Sequence, residues 1–191
     1  QFYMKKLLKD ETRNRRDGNS ETIVDRMKKK KKNCEVTVFK MREHKCNHCI
    51  ACGACQGKET QKCVQNDDIT DLLPLIDTCD GIVLASPVYN HQMSSMARLF
   101  IERLYPFFHV EKENMSNTSK RGKKAALILS FWGGPADIYE TYAAWSVETL
   151  SQMGAEKFKS LIFGGIPGRG EIKDHEEYLT QLHELAAWLS E

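Results

Sequence analysis

Short apolar runs alternate with longer stretches of helical periodicity along most of the 191-residue chain. The predicted strands are residues 4–9, 34–40, 81–86, 125–131 and 158–164. The predicted helices are residues 19–31, 68–78, 94–105, 136–153 and 172–190. Such alternation is typical of a parallel sheet covered by helices. We therefore predict an α/β fold, a doubly wound five-stranded parallel sheet with helices on both faces.

Length and composition predict a single domain over residues 1–191, with a cysteine-rich loop inserted at residues 42–66. With 41% hydrophobic and 28% charged residues, the chain resembles ordinary globular proteins. No run approaches the roughly 20 apolar residues of a membrane span, and the amino end lacks the apolar core of a signal peptide. The odd count of seven cysteines argues against a complete disulfide framework. We therefore expect a cytoplasmic protein without a membrane partner.

The balance of charges argues against a nucleic-acid partner. The formal net charge is only +2, and the one basic run, residues 28–32, falls at the end of a predicted helix, where the dipole favours cations. No aromatic residues interleave with these lysines, so stacking on bases is unsupported.

Five cysteines crowd into one short segment, at Cys46, Cys49, Cys52, Cys55 and Cys63. Two-residue gaps followed by one longer gap are typical of an iron-sulfur ligand set. A structural zinc site usually separates two pairs of ligands by about 12–20 residues. A loop of reduced thiols and a redox-active cysteine pair remain alternatives. With so many thiols available, His44 and His48 are not expected to be ligands.

In a doubly wound sheet, ligands bind beyond the carboxyl ends of the strands, near the point where strand order reverses. The loop after the first strand offers polar groups at a helix start, namely Thr12, Arg13, Arg15, Gly18, Asn19 and Ser20. Backbone N–H groups there can hold a phosphate, although an ordinary helix cap has the same composition.

Two further loops are predicted on the same rim. The loop after the third strand contains Ser86, Pro87, Val88, Tyr89 and Asn90, and the loop after the fourth contains Ser130, Trp132, Gly133 and Gly134. A proline-fixed backbone can face a flat heteroaromatic ring, and paired glycines permit close approach of a ligand. Each loop taken alone is also compatible with a structural turn.

The stretch from Cys49 through Cys63 and Asp67 to Ser86-Pro-Val-Tyr89 resembles the iron-sulfur flavoprotein branch of the NAD(P)H-dependent FMN reductase superfamily. The resemblance implies a flavodoxin-like fold, FMN at the switch point, and dimers or tetramers. It also implies that Cys49, Cys52, Cys55 and Cys63 bind a [4Fe-4S] cluster and that Cys46 is spare. The first loop departs from the pattern, since relatives usually have an apolar first strand that ends in Gly-Ser-Pro-Arg, whereas this chain has Lys9, Asp10, Glu11, Thr12 and Arg13.

The function that follows is an FMN-dependent oxidoreductase, which passes electrons from a ferredoxin or NAD(P)H through FMN and the cluster to a small acceptor. The cofactors are expected to do the chemistry, so no side chain is predicted to be catalytic, and His91 beside the third loop is expected to be incidental. The first alternative is a cluster-free NAD(P)H-dependent FMN or quinone reductase. The second is a redox- or metal-sensing binding module without enzymatic activity.

Overall fold

The computed structural model describes residues 5–11, 18–29, 34–56, 62–110, 115–117 and 119–191. Its strands are β1 (Lys5–Glu11), β2 (Cys34–Lys40), β3 (Gly81–Tyr89), β4 (Gln92–Met93), β5 (Phe108–Val110), β6 (Met115–Asn117), β7 (Lys123–Ser130) and β8 (Ala155–Phe163). Its α-helices are α1 (Asn19–Lys29), α2 (Asp68–Thr78), α3 (Ser95–Glu102), α4 (Glu140–Glu148) and α5 (Glu176–Ser190).

The main sheet confirms the predicted α/β architecture. Its five long strands run parallel in the order β2-β1-β3-β7-β8, so the strand order reverses beside β1. Successive residues of β3 point to opposite faces, as Ile82 and Leu84 join one buried cluster while Val83 and Ala85 join the other. The first cluster contains residues of α2, α3 and α4, and the second contains residues of α1 and α5.

Several predicted bounds were wrong. The helix expected at 136–153 is α-helical only over Glu140–Glu148, with 3₁₀ turns at Ala136–Tyr139 and Thr149–Met153. The helix expected at 94–105 ends at Glu102, because Pro106 lacks a backbone N–H with which to continue it. The last predicted helix begins with a separate 3₁₀ turn, Glu171–Asp174.

Three short strands were not predicted. β4 pairs antiparallel with the end of β3, which extends three residues beyond its predicted end. β5 and β6 form an antiparallel pair between α3 and β7, where no strand was predicted. Strands of two or three residues are too short for a periodic pattern to be recognised.

The register of the sheet places the starts of three loops side by side at one edge of the sheet. Pro87 near the end of β3 lies beside Ser130 at the end of β7, and Ser130 lies beside Phe163 at the end of β8. The segments that follow these residues therefore begin next to one another. In the part of the chain that the structure describes, no helix combines the length and the apolar character needed to cross a bilayer.

Candidate functional site

A cavity of about 160 Å³ lies where these loops meet, and we call it the rim cavity. Its lining residues come from the start of α1 and from the segments that follow β3, β7 and β8: Asn19, Pro87, Val88, Tyr89, Ser130, Phe131, Trp132, Ile166 and Pro167. The structure thus brings together six of the residues predicted for a cofactor site, namely Asn19, Pro87, Val88, Tyr89, Ser130 and Trp132.

Aromatic side chains stand exposed at the mouth of the rim cavity. Trp132 is 75% exposed and Tyr89 is 48% exposed, whereas Phe131, which also lines the cavity, is buried. Phe131 makes an edge-on contact with Tyr139, with 4.8 Å between ring centroids. Exposed aromatic faces beside a polar strand edge suit the binding of a flat heteroaromatic ring.

Other predicted residues lie next to the rim cavity without lining it. Ser86 is buried, and its hydroxyl accepts a hydrogen bond from the Ser94 N–H at 3.0 Å, which ties the end of β3 to the start of α3. Asn90 and His91 form the tight turn between β3 and β4, with φ of 49° and 65°. The His91 ring contacts the Tyr139 hydroxyl at 3.1 Å. Gly133 and Gly134 follow Trp132 and are exposed.

The start of α1 closes one end of the rim cavity. The side-chain amide of Asn19 donates to the carbonyls of Ile166 and Gly168 at 3.1 and 3.0 Å, and its oxygen accepts from the Ile172 N–H. Asn19 therefore holds the loop after β8 in place. The Ser20 hydroxyl is buried and has no hydrogen-bond partner among the described residues. Thr12, Arg13 and Arg15 lie outside the described residues.

The helical hydrogen bonds of α1 begin at Gly18. The first of them runs from the Thr22 N–H to the Gly18 carbonyl, at 2.9 Å. The N–H groups of residues 19–21 therefore precede the helical ladder, as at the start of any α-helix. Because Asn19 at this helix start lines the rim cavity, these donors make that end of the cavity suited to an anion.

The loop after β8 contributes lining residues that the sequence analysis missed. Ile166 and Pro167 line the rim cavity, and the Ile166 N–H donates to the Phe131 carbonyl at 3.3 Å. A signal for this loop was available, since Gly164-Gly165 and Pro167-Gly168 follow a strand that ends on the same rim.

The described part of residues 42–66, which we call the cysteine segment, lines a second cavity, which we call the thiol cavity. All four predicted ligands, Cys49, Cys52, Cys55 and Cys63, line it. Ala51 and Gly53 have φ of 52° and 67°, left-handed conformations that curl the backbone between the thiols. Cys46 lies outside this cavity and packs against the core, with its thiol 3.8 Å from the Met41 carbonyl. Burial raises the pKa of the Cys55 thiol, although a hydrogen bond from Gln56 opposes the shift.

The thiols are of the type that an iron-sulfur cluster requires, but they do not form a closed set of ligands. Over the described ranges, no group of three or more His, Cys, Asp or Glu side chains is arranged to hold a metal ion. His44 is engaged elsewhere, since its Nδ1 lies 2.9 Å from an Asp68 carboxylate oxygen and its ring stacks on Phe39.

A buried ion pair anchors the cysteine segment to the fold. Arg103, 1% exposed, follows α3 and contacts both carboxylate oxygens of Asp67, at 2.5 and 2.9 Å. Asp67 also accepts a hydrogen bond from the Thr70 N–H, which makes it the N-cap of α2. A further hydrogen bond comes from the N–H of Asn47 in the cysteine segment. Burial alone would raise the pKa of Asp67, but these hydrogen bonds hold it well below its usual range.

Arg103 also reaches the segment directly, because its Nη1 donates to the Asn47 carbonyl at 2.7 Å. Two glutamines add weaker tethers. Gln56 donates to the Tyr105 carbonyl at 3.0 Å, and Gln65 donates to the His48 carbonyl at 2.8 Å. The segment is therefore held by side chains rather than by a sheet.

An open trough of about 700 Å³ along α3 joins the two cavities. Tyr89 lines both the trough and the rim cavity, and Glu102 lines both the trough and the thiol cavity. Arg98 and His48 also line the trough. One continuous surface thus leads from the strand tips to the thiols.

The fold and the rim cavity define a class of α/β proteins that bind ligands at a switch point. Residues 13–146 match the model of the NADPH-dependent FMN reductase family. The chain is also 35% identical over 180 residues to an iron-sulfur flavoprotein of Archaeoglobus fulgidus, covering 93% of this chain and 75% of that protein. The chain belongs to the NADPH-dependent FMN reductase family, in agreement with the predicted resemblance, and it is a flavin-dependent oxidoreductase.

Other relatives agree with this assignment. An iron-sulfur flavoprotein of Methanocaldococcus jannaschii is 33% identical over 72 residues, 38% of this chain and 36% of that protein. Among solved structures, an NAD(P)H:quinone oxidoreductase from Methanothermobacter marburgensis is similar with a TM-score of 0.73 at 12% identity, covering 96% and 98% of the two chains. An FMN-dependent NADH-azoreductase from Bacillus anthracis, in complex with FMN, gives 0.68 at 11% identity, covering 99% and 100%. These two likenesses establish the shared fold.

Proposed function

We propose that FMN binds in the rim cavity and that electrons pass between it and a [4Fe-4S] cluster held by Cys49, Cys52, Cys55 and Cys63. The observation that supports this most is the continuous surface between the two cavities, in which Tyr89 and Glu102 are shared lining residues. When bound, FMN exchanges one or two electrons and the cluster exchanges one.

The protein's own residues bind and orient these groups. The backbone of Pro87 and Val88 and the side chains of Tyr89 and Trp132 are proposed to contact the flavin ring. The Ser20 hydroxyl and the N–H groups at the start of α1 are proposed to donate to its phosphate, which would satisfy a buried hydroxyl that lacks a partner among the described residues. No side chain is assigned as an acid or base.

NAD(P)H or a ferredoxin is the proposed donor, and a small molecule such as a quinone is the proposed acceptor. The trough beside Arg98 is wide and open, so either kind of donor can approach the surface between the cavities. As the resemblance implies, we also propose a homodimer or homotetramer, which light scattering coupled to size-exclusion chromatography tests directly.

Flavin placement is tested by a pair of tryptophan substitutions. Trp132→Ala removes an aromatic ring from the rim cavity, whereas Trp145→Ala removes one of similar exposure, 62%, that lines none of the three cavities. Because stacking on an aromatic ring contributes about 1–3 kcal/mol, we expect Trp132→Ala to weaken FMN binding roughly tenfold. Titration of apoprotein by flavin fluorescence measures this. Equal affinities for the two variants would refute the placement.

A cluster-free NAD(P)H-dependent reductase is the second candidate function. The observation in its favour is that no group of side chains in the described segments is arranged to hold a metal ion. Iron and acid-labile sulfide analysis of anaerobically prepared protein separates the two, because only the first proposal requires both elements bound alongside flavin. The sensing module without enzymatic activity is not supported, since the chain belongs to a reductase family.

A further inference from the structure

The hydrogen bonds of the Arg103 guanidinium account for four of its five N–H donors. Arginine has five N–H donors, of which four are on the two Nη atoms. Nη1 donates to Asp67 Oδ2 and to the Asn47 carbonyl, and Nη2 donates to Asp67 Oδ1 and to the Thr70 hydroxyl. These contacts use all four Nη donors and leave the Nε–H.

This remaining donor is buried and unsatisfied within the described residues. Nε of Arg103 is inaccessible to solvent and has no hydrogen-bond partner there. Leaving a charged donor unpaired is costly, so a buried group of this kind calls for a ligand or another acceptor. Arg103 is one of the residues that line the thiol cavity.

The neighbouring groups indicate that the missing acceptor is sulfur. Arg103 lines the thiol cavity together with the sulfur-bearing side chains of Cys49, Cys52, Cys55 and Cys63. Among the other polar residues of the thiol cavity, Gln65 is engaged with the His48 carbonyl, and Glu102 and Tyr105 are exposed.

We infer that the Nε–H of Arg103 donates a hydrogen bond to a sulfur atom of the metal group held by the cysteine segment. Arg103 is then a positioning residue that raises the reduction potential of that group. This inference rests on the proposed function, because it requires the cluster. Adding one electron makes the group more negative, and an N–H donor with a positive charge stabilises the more negative state.

The test compares Arg103→Lys with Thr70→Val in protein reconstituted anaerobically with iron and sulfide. Lysine keeps the positive charge, but it lacks the guanidinium group, which donates two hydrogen bonds to a carboxylate and one more from Nε. Valine at position 70 removes the hydroxyl that Nη2 contacts and leaves the Nε–H in place. We expect Arg103→Lys to make one-electron reduction about tenfold less favourable, equivalent to a potential lower by about 59 mV, with a much smaller change in Thr70→Val.

A second pair of variants covers the case in which Arg103→Lys does not fold. Asp67→Asn combined with Arg103→Gln removes both charges of the buried pair and leaves no unpaired ion, and Asp67→Asn alone is its control. In wild-type protein labelled with ¹⁵N-arginine, pulsed electron paramagnetic resonance of the reduced protein should also show coupling to an arginine nitrogen, and Arg103→Lys or the double variant should lack it.

The outcomes separate this inference from the proposed function. Wild-type protein without iron and sulfide would overturn both. If the wild-type protein holds the cluster but the potential is unchanged in Arg103→Lys, only the role of Arg103 is overturned. An unchanged potential in the double variant relative to its control has the same consequence. Absence of the arginine coupling in cluster-containing wild-type protein would have the same consequence.

Discussion

The rim cavity and the cysteine segment place their functional groups in different ways. The rim cavity is bounded by the ends of β3, β7 and β8, whose register is fixed by parallel pairing and a core on both faces. The cysteine segment has no strand over residues 42–56 and depends on tethers to Asp67, Asp68, Arg103 and Tyr105. The position of the first site is therefore set by the sheet, and that of the second by a few polar contacts.

This difference has an energetic consequence. Backbone pairing within a core opens only at a large free energy, whereas a segment held by few contacts can open locally at a smaller one. We expect changes at the Asp67–Arg103 pair to alter the thiol cavity more than the rim cavity. The two sites can then be perturbed separately, although one surface joins them.

The largest effect is expected from Asp67→Ala. This change leaves the Arg103 guanidinium buried without its carboxylate and removes the N-cap of α2, so we expect a loss of about 3–5 kcal/mol in the free energy of unfolding. Urea denaturation measures it. The matched control is Asp68→Ala, because Asp68 is the next residue but makes its contacts, to His44 and to the Lys45 N–H, at the surface. We expect that control to lose less than about 1 kcal/mol, and equal losses would contradict the importance of the buried pair.

The same carboxylate predicts a dependence of stability on pH. The pKa of Asp67 is held well below its ordinary value in the folded protein, so the unfolded chain takes up a proton first as the pH falls. The contribution of Asp67 is complete at pH values above about 5 and is lost progressively from about pH 4 downward, at up to roughly 1.4 kcal/mol per pH unit. Urea denaturation from pH 7 to pH 3 checks this. A slope in this acid range that is the same in Asp67→Asn as in the wild type would disprove it.

Regular elements of the fold could be predicted where the sequence pattern is local. α2 has the predicted bounds, because Asp67 is a capping residue and Ile69, Leu72, Leu73 and Ile76 recur at helical spacing. The shared position of the three loops could also be predicted, because the carboxyl ends of parallel strands lie at one edge of the sheet. Six of their residues line one cavity, and their contact with a cofactor stays a prediction.

Contacts between distant residues could not be predicted in the same way. Asn19 holds Ile166 across 147 positions of sequence, so its side chain fixes a loop that the sequence analysis did not assign to the site. Arg103 and Asp67 are 36 positions apart, and in the sequence each is simply a charged residue. Their pairing depends on how α2 and α3 pack on the sheet, which periodicity does not specify.

A smaller effect is expected at the rim, from Gly164→Ala. A Cβ at position 164 would lie 2.8 Å from both the Gly134 carbonyl and the Phe131 ring, so the loops after β7 and β8 must move apart. We expect a loss of about 1–3 kcal/mol in stability, together with weaker FMN binding. In the control Gly133→Ala, nothing lies within 4 Å of the added Cβ, and we expect stability within about 0.5 kcal/mol of the wild type. Equal stability of both variants would show that the rim tolerates displacement.

The smallest perturbation compares two thiols without changing the sequence. Cys79 lies buried beside the sheet, and burial raises its pKa to about 11, whereas Cys52 is exposed in the cysteine segment. Because the thiolate is the reactive form, iodoacetamide at pH 8 should modify Cys52 in metal-free native protein and leave Cys79 unmodified. Peptide mass spectrometry measures both sites, and in concentrated urea the two should react at similar rates. If Cys79 reacted as quickly as Cys52 in the native protein, the sheet side would open as readily as the tethered segment, and the distinction between the two regions would fail.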